Sequence, residues 1–133
     1  MTFKPGADAQ SRTVLVVEDE AALRQSIGRL LQKEGYQVLE APNGATALEI
    51  LDDAAGKAIS LVLTDLRMPV MDGRQLASAL ARRHPSLPII FMSGFTAQLM
   101  DLRLVSPHLS FLAKPFKDQD LLAAIRSQIS RAQ

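Results

Sequence analysis

The 133-residue chain has no cysteine, so neither a disulfide framework nor a thiolate metal site is open to it, and a reducing, cytoplasmic setting fits that usage. It has no apolar run near the roughly twenty residues needed to cross a bilayer, and residues 1–12 lack the apolar segment of a signal peptide. It has no excess of charge. Fifteen basic and fourteen acidic side chains leave a formal +1, which provides no electrostatic footprint for nucleic acid or an anionic membrane. Recognition is therefore expected to be local. No internal repeat or low-complexity tract is found.

What the chain does have is a hydrophobic content of 47%, enough for one domain with a real core and too short a length for two. The expected division is a leader at 1–12, a domain at 13–130 and a tail at 131–133. Five short apolar runs, at 14–17, 36–41, 59–63, 88–92 and 109–113, alternate with stretches of helical spacing. That is the pattern of an α/β protein whose parallel sheet is covered on both faces. Four runs are continuous enough to suggest central strands. The second is interrupted by Gln37 and Glu40, as an edge strand would be.

Between the runs, Leu23, Ile27, Leu30 and Leu31 mark a first helix, with Gly35 where a left-handed cap belongs. Ala47, Leu48 and Leu51 mark a second after Asn43. Leu76 and Leu80 mark a third beyond Gly73 that stops before Pro85. A fourth is expected within 96–105, closed by Pro107, although its leucines form no clean stripe. Leu121, Leu122, Ile125 and Ile129 mark the last, with Asp118 placed to cap it.

In an open parallel sheet, ligands bind beyond the carboxyl ends of the strands, where the chain order reverses. Those ends carry Glu18-Asp19-Glu20 after run one, Thr64-Asp65 after run three, Ser93-Gly94 after run four and Lys114-Pro115 after run five. With strand two at the edge, the order is 2-1-3-4-5, and Glu18, Asp19 and Asp65 converge at the switch point. Three carboxylates in one place require protons or a hard cation with oxygen ligands, and magnesium suits such a site. Glu20 is assigned to the first helical turn rather than to the ligands. Taken singly, Glu18, Asp19, Ser93 and Lys114 read as loop, turn or surface residues. Their weight comes from the set. Arg82, Arg83 and His84 read as cations at a helix end, and neither His84 nor His108 is a catalytic candidate.

The segments Val14-Leu15-Val16-Val17-Glu18-Asp19-Glu20, Leu63-Thr64-Asp65-Leu66-Arg67-Met68-Pro69-Val70-Met71-Asp72-Gly73, Phe91-Met92-Ser93-Gly94 and Phe111-Leu112-Ala113-Lys114-Pro115-Phe116 together resemble the receiver domains of two-component signalling, over 13–129. The wording around 84–95 is closest to receivers fused to hybrid sensor histidine kinases. The resemblance implies a flavodoxin-like three-layer α/β/α sandwich with five strands and five helices. By it, Asp65 is the phosphoacceptor, charged by a histidine kinase or a histidine phosphotransfer domain. Mg2+ is bound by Asp19, Asp65 and the main-chain carbonyl of Arg67, with Glu18 assisting through water. Ser93 and Lys114 contact the phosphoryl oxygens, and a cis Lys114-Pro115 bond would aim the lysine into the site. Ser93 and Phe111 form the switch, which reshapes a face of helix four, strand five and helix five offered to a downstream protein or a second copy. The chain is then a signalling receiver and not an enzyme with an external substrate.

The residue types suit that chemistry. Phosphoryl transfer needs an in-line nucleophile and charge neutralisation above all, and an ionised carboxylate can be the nucleophile. Gly73 serves the tight entry to the third helix, and Pro69 stiffens the loop carrying Arg67. Phe111 lacks a hydroxyl, so its two states must differ in packing. The stretch 104–108 departs from the small, glycine-containing segment usual in the family. Arg67 and Phe95 occupy positions that tune phosphate lifetime, and slow self-dephosphorylation is expected. Two rival readings fit the sequence less well. A magnesium-dependent aspartyl phosphohydrolase needs a second aspartate where Arg67 stands. A flavodoxin-like cofactor module needs a phosphate-binding loop where the acidic run stands.

Overall fold

A computed structural model of the chain describes residues 12–53, 58–68, 70–94 and 109–132. In chain order they form β1 (Thr13–Val17), α1 (Ala21–Lys33), β2 (Gln37–Ala41), α2 (Gly44–Asp52), β3 (Ile59–Asp65), α3 (Gly73–Arg83), β4 (Ile89–Ser93), β5 (Leu109–Ala113) and α4 (Asp118–Ala132). The leader at 1–11, the helix expected within 96–105, and Pro69, Phe95, Pro107 and His108 lie outside the described residues.

All strand pairings are parallel, and the sheet order is β2-β1-β3-β4-β5, as the interrupted second run implied. Successive side chains of a strand point to opposite faces, so a strand apolar throughout must be covered twice. In β1, Val14 and Val16 pack with Ile27 and Leu31 of α1 and Leu121 and Ile125 of α4. Leu15 and Val17 face the other way, towards Leu48 and Leu51 of α2 and Leu76 and Leu80 of α3. This gives the flavodoxin-like α/β/α sandwich. Each fully buried Leu or Val contributes about 1.5–3 kcal/mol of burial, so both faces add to the stability of the sheet.

The ends of the elements follow local chemistry. Gly35 adopts φ 100 after α1, the left-handed conformation that glycine enters without penalty. Asn43 caps α2 by accepting from the Thr46 amide at 2.9 Å. Asp72 and Gln75 form a reciprocal capping box at the start of α3.

Three expectations need correcting. Run five, whose continuity suggested a central strand, is the second edge strand, as the expected order 2-1-3-4-5 itself requires, with Phe111 and Leu112 half-buried and Ala113 exposed. Its apolar residues are continuous because Phe111 reaches the α2/α3 side and Leu112 the α1/α4 side. Glu20 is the residue flanking α1 and not part of its first turn, and its side chain makes no capping bond. Asp118 is the first residue of α4, and the amides of Asp120 and Leu121 bond to the Lys117 carbonyl; its acidic side chain therefore lies within the first turn.

Candidate functional site

The sheet ladder continues one residue past several strands, and that continuation places the polar residues. The Glu18 amide donates to the Ala41 carbonyl at 3.0 Å, the Leu66 amide to the Met92 carbonyl at 3.2 Å and the Lys114 amide to the Ser93 carbonyl at 2.9 Å. Residues just beyond the strand ends are thus held almost as firmly as the strands. Ligand oxygens of Glu18, Asp19 and Asp65 lie within 4.8 Å of one another. Glu18 is buried at 1% exposure and Asp19 is exposed, so the cluster runs from the interior to solvent.

Lys114 balances part of this charge. Its Nζ lies 3.2 Å from Glu18 Oε1 and 3.4 Å from Asp65 Oδ1, and the Lys114-Pro115 bond is cis. Asp65 Oδ1 also accepts from the Leu66 amide at 2.8 Å, which fixes the direction of the carboxylate. Burial pushes the Glu18 carboxyl up to about 7, aided by a hydrogen bond with Asp19 and the charge of Asp65, against the pull of Lys114. Burial works against the Lys114 ammonium, but Asp65 and Glu18 outweigh it and hold its pKa above the ordinary lysine value.

The donor set fits magnesium. Glu18, Asp19 and Asp65 offer only hard oxygen ligands, with no histidine among them. Glu18, whose carboxyl is raised first by burial and then by Asp19 and Asp65, is a group that a bound cation would help to ionise.

The remaining predicted site residues lie on β4, β5 and the loop after β3. Ser93 ends β4, buried at 4%, and is joined to Lys114 through its carbonyl. Arg67 is exposed on the loop two residues past Asp65. Phe111 is half-buried and stacked on Phe91, with ring centroids 6.0 Å apart and planes at 23°.

The backbone at Leu66 and at Met71, between β3 and α3, is held by close contacts. The Gly73 amide donates to the Leu66 carbonyl at 2.8 Å and the Gly44 amide to the Met71 carbonyl at 3.1 Å. A Cβ on Gly73 would lie 2.6 Å from the Asp65 carbonyl oxygen and 2.9 Å from Leu66 Cα. Gly73 is therefore required by close approach, and the tight entry to α3 is its consequence. A Cβ on Gly44 would lie 2.7 Å from Met71 Cγ and 2.8 Å from its carbonyl oxygen. Val70, 80% exposed, takes φ 70, a strained conformation for a β-branched residue.

One residue at the site went unnoticed in the sequence. Arg24 of α1 donates from Nη1 to the Glu18 carbonyl at 2.7 Å, and its Nε lies 3.1 Å from Glu40 Oε1 on β2. The signal available was a cation near a helix N-terminus, where the backbone dipole disfavours one.

Among the described residues, no helix is long and apolar enough to cross a membrane. The profile of the "Response regulator receiver domain" family matches residues 14–126. The chain is 38% identical over 122 residues to the sensor kinase CckA of Brucella abortus, covering 91% of this chain and 13% of that kinase. It is 35% identical over 122 residues to the response regulator receiver protein CpdR of the same organism, covering 91% of this chain and 99% of CpdR. A receiver protein of Sinorhizobium medicae superposes with a TM-score of 0.83 at 28% identity, covering 93% of this chain and 98% of that one. The receiver domain of the hybrid histidine kinase CckA gives a TM-score of 0.73 at 34% identity, covering 88% and 98%. With the profile spanning most of the chain and the fold shared, the chain belongs to the response regulator receiver domain family, the signalling modules of two-component phosphorelays.

Proposed function

We propose that Asp65 accepts a phosphoryl group from a phosphohistidine donor, a histidine kinase or histidine phosphotransfer domain, in a magnesium-dependent reaction in the cytoplasm. The observation that carries this reading is the mutual approach of Glu18, Asp19 and Asp65 within 4.8 Å, with Lys114 Nζ between Glu18 and Asp65. Asp19, Asp65 and the Arg67 carbonyl would hold the ion directly, and Glu18 through water. When bound, it neutralises charge on the transferring oxygens.

The chain's own residues do the rest. Asp65 Oδ1 is bonded to the Leu66 amide, so the carboxylate is oriented before a donor arrives. A carboxylate oxygen attacks phosphorus, the bond from phosphorus to the donor nitrogen breaks, and an acyl phosphate forms on Asp65. The Lys114 ammonium neutralises a phosphoryl oxygen and keeps its proton, since its pKa lies above the ordinary value. The Ser93 hydroxyl donates to another oxygen.

The output follows from packing. Phosphorylation draws Ser93 towards the phosphoryl group, and Phe111, on the neighbouring strand, gains room to move inward along Phe91. The surface around β5 and α4 then presents a new shape to a downstream protein or a second copy. Identical amide spectra over 96–116 in phosphorylated and unphosphorylated samples would exclude this switch.

The chemical claim is tested by incubating wild type and Asp65→Asn with a small acyl phosphate, with and without magnesium. Labelling is expected for wild type with magnesium alone. Equal labelling of both proteins would refute it.

A further inference from the structure

Arg24 is the fourth residue of α1, and its side chain is only 17% exposed. Its guanidinium serves two acceptors, the Glu18 main-chain oxygen at 2.7 Å and Glu40 Oε1 at 3.1 Å. The Glu18 oxygen belongs to the peptide unit joining Glu18 to Asp19. On the other side of the same residue, the Glu18 amide is bonded to the Ala41 carbonyl at 3.0 Å. The backbone at which β1 gives way to the acidic pair is therefore held at its N–H by β2 and at its C=O by α1, and Glu40 on β2 anchors the arginine. Asp19 is exposed, and no packing against the core sets its direction. Its direction rests on the hydrogen bond with the Glu18 carboxyl and on the orientation of the peptide before it, and both depend on how the Glu18 backbone is held.

Resting on the reading of Glu18, Asp19 and Asp65 as a cation site, we propose that Arg24 is a positioning residue that orients the Glu18-Asp19 peptide so that Asp19 and Asp65 face one ion. The sign of its effect separates this role from its alternatives. A fixed cation near the site repels a second cation, so a purely electrostatic role makes magnesium bind more tightly when Arg24 is neutralised. A purely structural role lowers stability and leaves the affinity of the folded protein unchanged. Positioning makes binding weaker, although a repelling charge has been removed.

The test is magnesium titration of wild type, Arg24→Met, Arg24→Lys and Glu40→Gln, read by calorimetry and by amide shifts of residues 19 and 65, beside a denaturation midpoint for each. Arg24→Met is expected to weaken magnesium about tenfold, as loss of groups that orient metal ligands does. Arg24→Lys keeps the charge but replaces a fork with one ammonium, and should fall between Arg24→Met and wild type. Glu40→Gln, whose amide oxygen still accepts from Nε, should stay near wild type. In metal-free Arg24→Met, the amides of residues 19 and 20 should exchange faster than in wild type while that of residue 18 stays protected. Unchanged or tighter magnesium binding in both Arg24 variants overturns the inference alone. If Arg24→Met does not fold, Arg24→Lys decides by the same criterion. A wild type that binds no magnesium overturns the cation site itself, and this inference with it.

Discussion

The two sides of Asp65 are built by different means. On the β1 side, Glu18 is held by its amide, by its carbonyl through Arg24 and by its carboxylate through Lys114, with Glu40 behind the arginine. On the β4/β5 side, Ser93 and Lys114 are joined by one ladder bond, and beyond them Phe111 rests on Phe91 through ring contact. Charged hydrogen bonds have strict geometry, whereas apolar contacts tolerate sliding and repacking. The first side is suited to hold a cation in one place. In the proposed switch, the second is the side that would rearrange. A switch needs both, because a binding event must be fixed at one end to do work at the other.

Removing the one residue shared by both sides should have the largest effect. Lys114→Met is expected to slow phosphorylation by a small donor about 100-fold, the scale for loss of a single group that stabilises transferring charge. Magnesium binding by calorimetry should persist, because the carboxylates remain. Loss of magnesium binding together with the rate would mean that the two sides are not separable.

Gly73→Ala comes next. Its new Cβ meets the Asp65 carbonyl and Leu66 Cα, backbone atoms that cannot swing aside, so about 2–3 kcal/mol should be lost in urea denaturation. A neutral result would show that the Asp65 loop is looser than its close contacts imply.

Glu18 makes the cation side sensitive to pH. Its folded-state pKa of about 7 lies above the 4.5 expected when unfolded, so the native state binds the extra proton. The stability from that proton is complete below about 4.5 and is lost as pH rises through about 7. Metal-free protein should therefore be less stable at pH 8 than at pH 5 by on the order of 1–2 kcal/mol, and Glu18→Gln should flatten the difference. Magnesium should stabilise most at the alkaline end, where it competes with no proton. Denaturation midpoints at both pH values, with and without magnesium, check the sign.

The smallest effect concerns the loop between the sides. Val70→Gly relieves a left-handed backbone at an exposed position and should stabilise by about 1 kcal/mol, less the extra freedom of glycine when unfolded. A loss in thermal denaturation would mean that the valine makes a contact worth more than its strain.

Much of the cation side was legible in the sequence, because it depends on order along the chain. Runs that end in acidic residues, and one interrupted run, were enough to give strand order and the convergence of Glu18, Asp19 and Asp65. Gly35 and Asn43 announced helix ends through local conformational preferences that need no tertiary context. What stayed hidden depends on distance between elements. Arg24 reads as an ordinary helical arginine until Glu18 and Glu40 are seen on either side of it. The need for glycine at 73 comes from the approach of the Asp65 backbone, which no spacing encodes. Run five passed for a central strand because both of its faces are partly covered, and apolar continuity reports covering, not position in the sheet.

The most direct measurement of the central claim is to locate the phosphoryl group. Wild type treated with a small acyl phosphate and magnesium, then reduced with borohydride, should carry homoserine at position 65 in peptide mass spectra, and chelation beforehand should abolish it. Modification at Ser93 or His84 with residue 65 untouched, or labelling indifferent to chelation, would contradict the account.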